Sequence, residues 1–309
     1  MRLLEHLLTA SIAVTPPSVV RALGRPYIAG ADRDAALAAA RRLGNDGARV
    51  TIDVLGEGRV DDGTADATLA EYERLLARLG AEVPGGGVSV KLSALGQLVS
   101  TERCLDRLGR LLDAAAHHGR FVRVDMEDAS LTDSTLVLYR QARAGGWSNV
   151  GVVLQARLRR SLADAAALLD DGIADVRVCK GIYREPYAIA HTDRELVRES
   201  FAELVELLLA GGGRVGVATH DDRLVEAAAR SARRHDPAGE RHEYQTLLGV
   251  RPEFLRMLVR RGARVRVYVP YGRDAERYAT RRVQENPRIA MQVLGAAARR
   301  ALGRRGGNP

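Results

Sequence analysis

Two lysines are the residues whose type and position most directly suggest chemistry. The chain has 47 lysines and arginines, of which only Lys91 and Lys180 are lysines. Each ends a short β-branched run, Val-Ser-Val-Lys and Val-Arg-Val-Cys-Lys. Lysine offers a compact ammonium on a flexible stem, whereas arginine offers a planar fork. We therefore expect both lysines to lie in a site that handles a charged ligand.

Polar side chains also follow the other β-rich runs, at the point where each run ends. In chain order these residues are Lys91, Asp125, Gln155, Arg177, Lys180, Thr219, His220, Gln245 and Tyr268. If the runs are strands of a parallel barrel, their carboxyl ends meet at one mouth. One such residue could be structural, and Asp125 alone fits a salt bridge equally well. Together they predict a site for a large polar ligand and a charged substrate.

The last of these segments carries a possible carboxylate clamp. On a helix, Tyr278 would neighbour Arg281 and Arg282, because it lies three and four positions before them. Two guanidinium forks beside an aromatic ring suit a carboxylate next to a hydrophobic wall. An exposed helix face is the ordinary alternative for adjacent arginines, and the nearby tyrosines favour the clamp.

The elements that position these residues alternate between strand and helix patterns. The strand-like runs are Val50–Leu55, Val88–Leu92, Phe121–Met126, Val150–Leu154, Val176–Cys179, Val215–Ala218, His242–Leu247 and Val265–Val269. Continuous apolar runs are typical of buried parallel strands. Eight strand–helix units predict an α/β fold, a (β/α)₈ TIM-type barrel. We expect one domain over 1–309, with N-terminal helices at 1–49, the barrel at 50–287, and a C-terminal helix and tail at 288–309.

Composition narrows the class of protein. The net charge is +8 and the pI about 9.9, but aromatic residues make up only 4%, so we expect no nucleic-acid partner. The two cysteines, Cys104 and Cys179, do not form a disulfide framework and fit a reducing cytoplasm. The glycine-rich stretches lack the order and spacing of a Rossmann or Walker phosphate loop, so a dinucleotide would not be held in that fashion.

Seven ordered segments give the chain a specific resemblance. They are VSVKLSALG (88–96), VRVDMEDAS (122–130), VGVVLQARLRRS (150–161), VRVCKGIYREP (176–186), VATHDD (217–222), HEYQTLLGVR (242–251) and YVPYGRDAERYATRRVQENP (268–287). On these residues the sequence resembles the proline dehydrogenase family of flavin-dependent barrels. The resemblance implies non-covalently bound FAD and the oxidation of L-proline to Δ1-pyrroline-5-carboxylate, the first step of proline catabolism to glutamate.

The resemblance also implies a role for individual residues. The implied catalytic residues are Asp125, which organises the substrate pocket, and Arg177, which lies near the reactive edge of the flavin. The implied substrate-binding residues are Lys91, Leu247, Tyr268, Tyr278, Arg281 and Arg282. The implied cofactor-binding residues are Met126, Gln155, Arg177, Lys180, Gly181, Ile182, Thr219 and His220. No metal is implied.

Two departures from the family pattern bear on the substrate. The family often has alanine where this chain has Ile182, and a larger side chain there would shrink the pocket. The family often has aromatic residues in the segment that here reads Ala275-Glu276-Arg277. Without them, we expect the helix over the site to shield it less.

The resemblance further implies partners and a location. Electrons would pass to a membrane quinone, and a separate pyrroline-5-carboxylate dehydrogenase would be a partner. No apolar run reaches the ~18 residues of a membrane span. Because the cysteine usage fits a reducing compartment, we expect a cytoplasmic protein. Its basic surface would allow a peripheral contact with anionic headgroups on the inner face of the membrane.

Three other functions compete at this stage. Lys180 could form a Schiff base, which would make the protein a lyase or aldolase on the same barrel. Asp125, Glu127, His220 and Asp221 could serve a metal-dependent hydrolase, although their spacing is not compact. A basic binding module would need a clustered patch with aromatics, which the sequence lacks.

Overall fold

Eight parallel strands form a closed barrel in the computed structural model, which describes residues 24–56, 61–272 and 278. The strands pair in sequence order, and β8 closes the barrel on β1. They are β1 (Arg49–Val54), β2 (Gly87–Lys91), β3 (Val122–Asp125), β4 (Val150–Gln155), β5 (Asp175–Cys179), β6 (Arg214–Ala218), β7 (His242–Leu247) and β8 (Val265–Tyr271). All eight strands predicted from the sequence are therefore confirmed, as is the TIM-type barrel.

Helices of the described residues surround this barrel. They are α1 (Arg33–Asn45), α2 (Asp62–Glu82), α3 (Thr101–His117), α4 (Thr132–Ala144), α5 (Ser161–Asp170), α6 (Arg194–Ala210), α7 (Asp222–His235) and α8 (Pro252–Arg260), with short 3₁₀ turns at Arg25–Tyr27, Leu92–Leu95 and Ala129–Leu131. Several begin at a side chain that accepts a hydrogen bond from a backbone N–H in the first turn, as Asp61 and Ser100 do. None of these helices has the length and apolar content needed to cross a bilayer.

The hydrophobic core lies between the barrel and its helices. Valines at alternate positions of the strands, such as Val88, Val90 and Val122, are completely buried there. The intervening residues point into the barrel, since they hydrogen-bond to one another across it. The interior is consequently polar, with buried arginines, carboxylates and amides where many barrels have aliphatic layers.

The N-terminal segment joins the barrel at the carboxyl ends of the strands. Ala29 N donates to Pro270 O at 2.9 Å, and Gly272 N donates to Gly30 O at 3.2 Å. Gly249 adopts a φ of 76°, and a Cβ on it would lie only 2.2 Å from the carbonyl oxygen of Pro26. A glycine is therefore required for this close approach.

The predicted ends of the chain fall largely outside the described residues. Of the N-terminal helices expected over 1–49, the described part contains α1 and the turn at Arg25–Tyr27. The closing helix expected at 288–309 lies outside the described residues. The division of the chain into these three parts stays a prediction.

Candidate active site

A cavity of about 580 Å³ opens at the carboxyl ends of the strands. This volume is within the range of small-molecule and cofactor sites, roughly 300–1,000 Å³. Every site residue predicted from the sequence that the structure describes lines this cavity, namely Lys91, Asp125, Met126, Gln155, Arg177, Lys180, Gly181, Ile182, Thr219, His220, Leu247, Tyr268 and Tyr278. Residues from distant segments thus converge on one site, as the strand-end argument requires.

Asp125 is the centre of a hydrogen-bond network at the cavity. It is the last residue of β3 and lies beside Lys91 in the strand register. Its Oδ1 accepts from Ser89 Oγ at 2.8 Å and from Arg177 Nη1 at 2.5 Å, and its Oδ2 accepts from Tyr268 OH at 2.8 Å. Three donors on three strands therefore fix the orientation of this carboxylate.

Arg177 is held from several sides as well. Its Nε donates to Gln245 Oε1 at 2.6 Å, and its Cζ lies 5.4 Å from the centroid of the Tyr268 ring. The residue is only 7% exposed. Because a guanidinium stays charged in proteins, Arg177 places a fixed positive charge on the floor of the cavity.

Lys91 faces a carboxylate that the sequence analysis missed. Asp53 lies on β1, is 1% exposed, and accepts from Lys91 Nζ at 3.2 Å through Oδ2. Burial raises the pKa of Asp53, and the positive charge of Lys91 opposes that rise. The nearby carboxylate orients the ammonium beneath the cavity, which is what an anion-binding lysine needs in order to be preorganised.

Tyr268 stands between the two carboxylates. Burial, together with the charges of Asp125 and Asp53, raises the pKa of Tyr268 well above its ordinary value. The phenol is therefore neutral near pH 7 and donates its proton in the hydrogen bond to Asp125. Its ring is left as an apolar wall of the cavity.

The second lysine lies at the opposite side of the cavity in an ion pair. Lys180 Nζ and Arg198 Nε donate to Asp221 Oδ2 at 2.6 and 2.8 Å. Burial raises the pKa of Asp221, but the hydrogen bonds from Lys180 and Arg198 outweigh this and lower it to about 2. The Lys180 side chain is thus already engaged by a carboxylate, so the geometry offers little support for a Schiff base on Lys180.

The β4 and β5 ends form a cradle for a planar polar group. Gln155 Nε2 donates to Glu127 O at 2.7 Å, which fixes the side-chain amide at the cavity wall. Gly181 has a φ of 90°, and a Cβ there would lie 2.8 Å from Gln155 Oε1. Only glycine permits this close passage of the backbone. The cavity volume, the fixed amide and the nearby Lys180 ammonium fit a flavin ring.

The β6 and β7 ends complete the wall on the other side. His220 Nε2 accepts from the Leu247 N–H at 3.2 Å, which places the proton of the neutral ring on Nδ1. Thr219 Oγ1 accepts from the Asp221 N–H at 3.1 Å. Ile182 lines the cavity and is 43% exposed, and whether its larger side chain shrinks the pocket stays a prediction.

Tyr278 covers the cavity from the β8 side. It is 9% exposed and clusters with Tyr27 and Leu55, so the N-terminal segment supports it from behind. Arg281 and Arg282, the predicted clamp partners of Tyr278, lie outside the described residues. The segment Ala275-Glu276-Arg277 lies outside them too.

The geometry also bears on the other residues considered from the sequence. Across the described ranges, no three His, Cys, Asp or Glu side chains form a group that could hold a metal ion. Glu127 instead accepts from Ser93 Oγ at 2.7 Å. Cys179 ends β5 at the cavity wall, and burial raises the pKa of its thiol to about 11. It is consequently an inert neutral group near pH 7.

Sequence reasoning missed Asp53 and Ser89, and it considered Asp221 only as a metal ligand. Asp53 lies one residue before the end of β1, and Ser89 lies two residues before Lys91 in β2. Both occupy inward-facing positions of their strands. The alternation of a strand could have found them, because a polar residue in an otherwise β-branched run points away from the apolar core.

Comparison with known proteins agrees with this geometry. The family model described as Proline dehydrogenase matches residues 36–294. Proline dehydrogenase 1 of Bacillus subtilis (strain 168) is 33% identical over 270 residues, which cover 87% of this chain and 89% of that protein. Proline dehydrogenase of Deinococcus radiodurans is 35% identical over 280 residues, which cover 88% of this chain and 89% of that protein.

A solved structure resembles the fold. Proline utilization A (PutA) from Bdellovibrio bacteriovorus superposes with a TM-score of 0.80 at 24% identity. The match covers 86% of this chain but only 33% of that longer protein, so the likeness concerns the barrel alone. With the model match over residues 36–294 and relatives at 33% and 35% identity, the chain belongs to the proline dehydrogenase family.

Proposed function

We propose that this oxidoreductase catalyses the FAD-dependent oxidation of L-proline to Δ1-pyrroline-5-carboxylate and passes the electrons to a quinone. The observation that carries the proposal is the convergence of Lys91, Asp125, Arg177 and Tyr268 in one cavity of a barrel that belongs to this family. An ammonium, a guanidinium, a fixed carboxylate and an aromatic wall are the groups that a small zwitterion needs.

The substrate carboxylate would bind at Lys91, with Arg281 and Arg282 as the other cations. Tyr268, Tyr278 and Leu247 would pack against the pyrrolidine ring, and all three line the cavity. Asp125 would hold Tyr268 and Arg177 in position through its hydrogen bonds. Fixing the ring in one orientation turns the redox step into an effectively intramolecular one.

The cofactor would occupy the β4 to β7 side of the cavity. Met126, Gln155, Lys180, Gly181, Ile182, Thr219 and His220 would hold it, with Arg177 at its reactive edge. Bound FAD would supply the electron sink for the hydride that leaves the carbon next to the ring nitrogen. The buried charge of Arg177 would stabilise negative charge that develops on that side of the site.

The remaining partners follow from the same reaction. The electrons must leave the site, and a membrane quinone is the acceptor we propose. The product would pass to a separate pyrroline-5-carboxylate dehydrogenase. We place the protein in the cytoplasm, and its net charge of +8 supports a peripheral contact with anionic headgroups at the inner face of the membrane.

An absorption spectrum of the purified protein tests the proposal directly. We expect the visible bands of oxidised flavin, and we expect L-proline to bleach them when oxygen is excluded. D-proline and pyrrolidine, which lack the correctly placed carboxylate, serve as matched ligands and should bleach far more slowly. Protein that stays colourless after saturation with FAD would contradict the proposal. If borohydride then trapped a carbonyl substrate on Lys180, the Schiff-base lyase would be the better assignment.

Substitutions separate the two halves of the site. Arg281→Met or Arg282→Met should mainly raise the proline concentration needed for half-maximal reduction. Arg177→Ala should mainly slow flavin reduction at saturating proline, because its charge lies on the floor of the cavity rather than at the clamp. Equal kinetic defects at all three positions would contradict these separate roles.

A further inference from the structure

A second cavity lies at the opposite, amino-terminal end of the barrel. Its volume is about 230 Å³, several times the ~30 Å³ share of one liquid water. Arg49, Arg214 and His242 are the first residues of their strands and line it. Arg177 and Gln245 line both cavities, so they form the partition between them.

The charges around this second cavity do not balance. Seven arginines but only three carboxylates, Asp175, Glu240 and Glu243, line it. Two of those carboxylates are already bound by arginine. Arg123 Nη2 donates to Asp175 at 2.6 Å, and Arg266 Nε donates to Glu243 at 2.5 Å.

Of the remaining arginines, Arg177 is paired with Asp125 at 2.5 Å and Arg241 approaches Asp236 to 3.9 Å. Arg49 approaches Glu243 only to 4.0 Å. Arg264 binds backbone carbonyls through Nη1, and its buried Nε has no hydrogen-bond partner among the described residues. Burial lowers the pKa of Arg49, and the charges of Arg264 and Arg266 lower it further, while Glu243 opposes them. Arg214 has no acidic partner within the described part of the chain and is exposed at the cavity wall.

From this arrangement we propose that the amino-terminal cavity binds a small multivalent oxyanion of the phosphate type. Guanidinium groups suit phosphate oxygens because the planar fork can donate two parallel hydrogen bonds. The cavity is too small for a nucleotide but has room for phosphate or pyrophosphate. Arg49 and Arg214 would supply the donors, and the negative charge of Glu240 at the rim would repel the ligand.

Isothermal titration calorimetry with inorganic phosphate and pyrophosphate tests this site. The protein should be saturated with FAD, so that the probe cannot occupy positions meant for the phosphates of the cofactor. We expect binding of one equivalent at constant ionic strength, no equivalent heat from sodium chloride, and weaker binding of AMP, whose nucleoside does not fit. Binding of AMP as tight as that of phosphate would overturn the assignment to a small free oxyanion.

Three variants decide where the probe binds. Arg49→Gln and Arg214→Gln should each weaken binding about tenfold or more, the usual loss for a hydrogen bond to a charged group. Glu240→Gln removes an opposing charge and should strengthen binding, a gain that misfolding cannot mimic. Arg110→Gln is the matched control, because Arg110 is 60% exposed on α3 and pairs with Glu73 away from the cavity.

The results distinguish a specific anion-binding site from the general attraction of anions to a basic protein. Equal losses in Arg49→Gln and Arg110→Gln would overturn the proposal, because any surface arginine would then suffice. Unchanged or weaker binding in Glu240→Gln would overturn it as well. This test measures binding alone, so its failure would leave the proposed oxidation of proline untouched.

Discussion

The hydrogen-bond network around Asp125 makes a quantitative prediction about coupling. Arg177 and Asp125 are joined at 2.5 Å, with side chains 8% and 12% exposed. Asp125 also accepts from Ser89 and Tyr268, and Arg177 donates to Gln245. A double-mutant cycle with Arg177→Met and Asp125→Asn measures how strongly the two charges depend on each other.

The expected magnitudes follow from what each substitution leaves behind. Arg177→Met leaves the Asp125 carboxylate buried without a cation, which should lower the free energy of unfolding by about 3–5 kcal/mol. Asp125→Asn leaves Arg177 charged but keeps an amide oxygen as acceptor, so we expect a loss of about 1.5–3 kcal/mol. The double variant removes both charges, so neither is left buried without its partner. Its loss of unfolding free energy should therefore be smaller than the sum of the two single losses. We expect a coupling free energy of about 2 kcal/mol, inside the range for residues in one network.

Urea unfolding followed by circular dichroism provides the measurement. All four proteins should be free of flavin, because a ligand that binds only the folded state adds its own stabilisation. The matched control is a cycle on the exposed pair Arg110 and Glu73, whose side chains are 60% and 34% exposed. That pair should couple by less than about 1 kcal/mol. If the buried pair couples no more than the exposed pair, the network does not act as a unit.

Three further perturbations test other parts of the structure. Asp53→Asn removes the carboxylate that faces Lys91 and should lower the free energy of unfolding by about 1–3 kcal/mol in urea. Gly249→Ala should be more destabilising than Gly212→Ala in the same assay. Both glycines have a positive φ, but a Cβ at Gly249 would clash with the Pro26 carbonyl oxygen, whereas a Cβ at Gly212 would have no atom within 4 Å. The pKa of Asp221 lies at about 2 in the fold against an ordinary 3.8, so its contribution is complete above pH 4 and is lost as the pH falls toward 2. Unfolding of Asp221→Asn should therefore depend less on pH between 4 and 2 than that of the unsubstituted protein.

The barrel could be predicted because each of its strands is recognisable from a short stretch of sequence. Buried parallel strands need continuous β-branched runs, and each of the eight runs, such as Val176–Cys179, has a counterpart in the structure. The strand ends could then be placed at one mouth from topology alone. Every predicted site residue in the described part of the chain accordingly lines one cavity.

The partners of those residues could not be predicted in the same way. Asp53 faces Lys91 because β1 and β2 are neighbours whose inward-facing positions lie close together, and 38 residues separate the two in sequence. The pairing of Lys180 with Asp221 likewise spans 41 residues and depends on the rotamers of both side chains. Sequence spacing carries no information about such contacts, since they are set by register and side-chain direction.

A chain of hydrogen bonds through the polar interior of the barrel connects its carboxyl-terminal and amino-terminal ends. Arg177 Nε donates to Gln245, Gln245 Nε2 donates to Glu243 at 2.8 Å, and Arg266 Nε donates to Glu243 in turn. Apolar residues of similar volume in a barrel interior are often neutral or more stabilising than such buried charges. A chain that keeps the charges therefore gains something other than stability from them. In this barrel the gain is orientation, because Lys91 and Arg177 at the mouth are held by Asp53 and Gln245 in the barrel interior. Arg177 and Gln245 also form the shared partition of both cavities, so the anion proposed for the amino-terminal cavity would lie against the same hydrogen-bonded chain that holds Arg177.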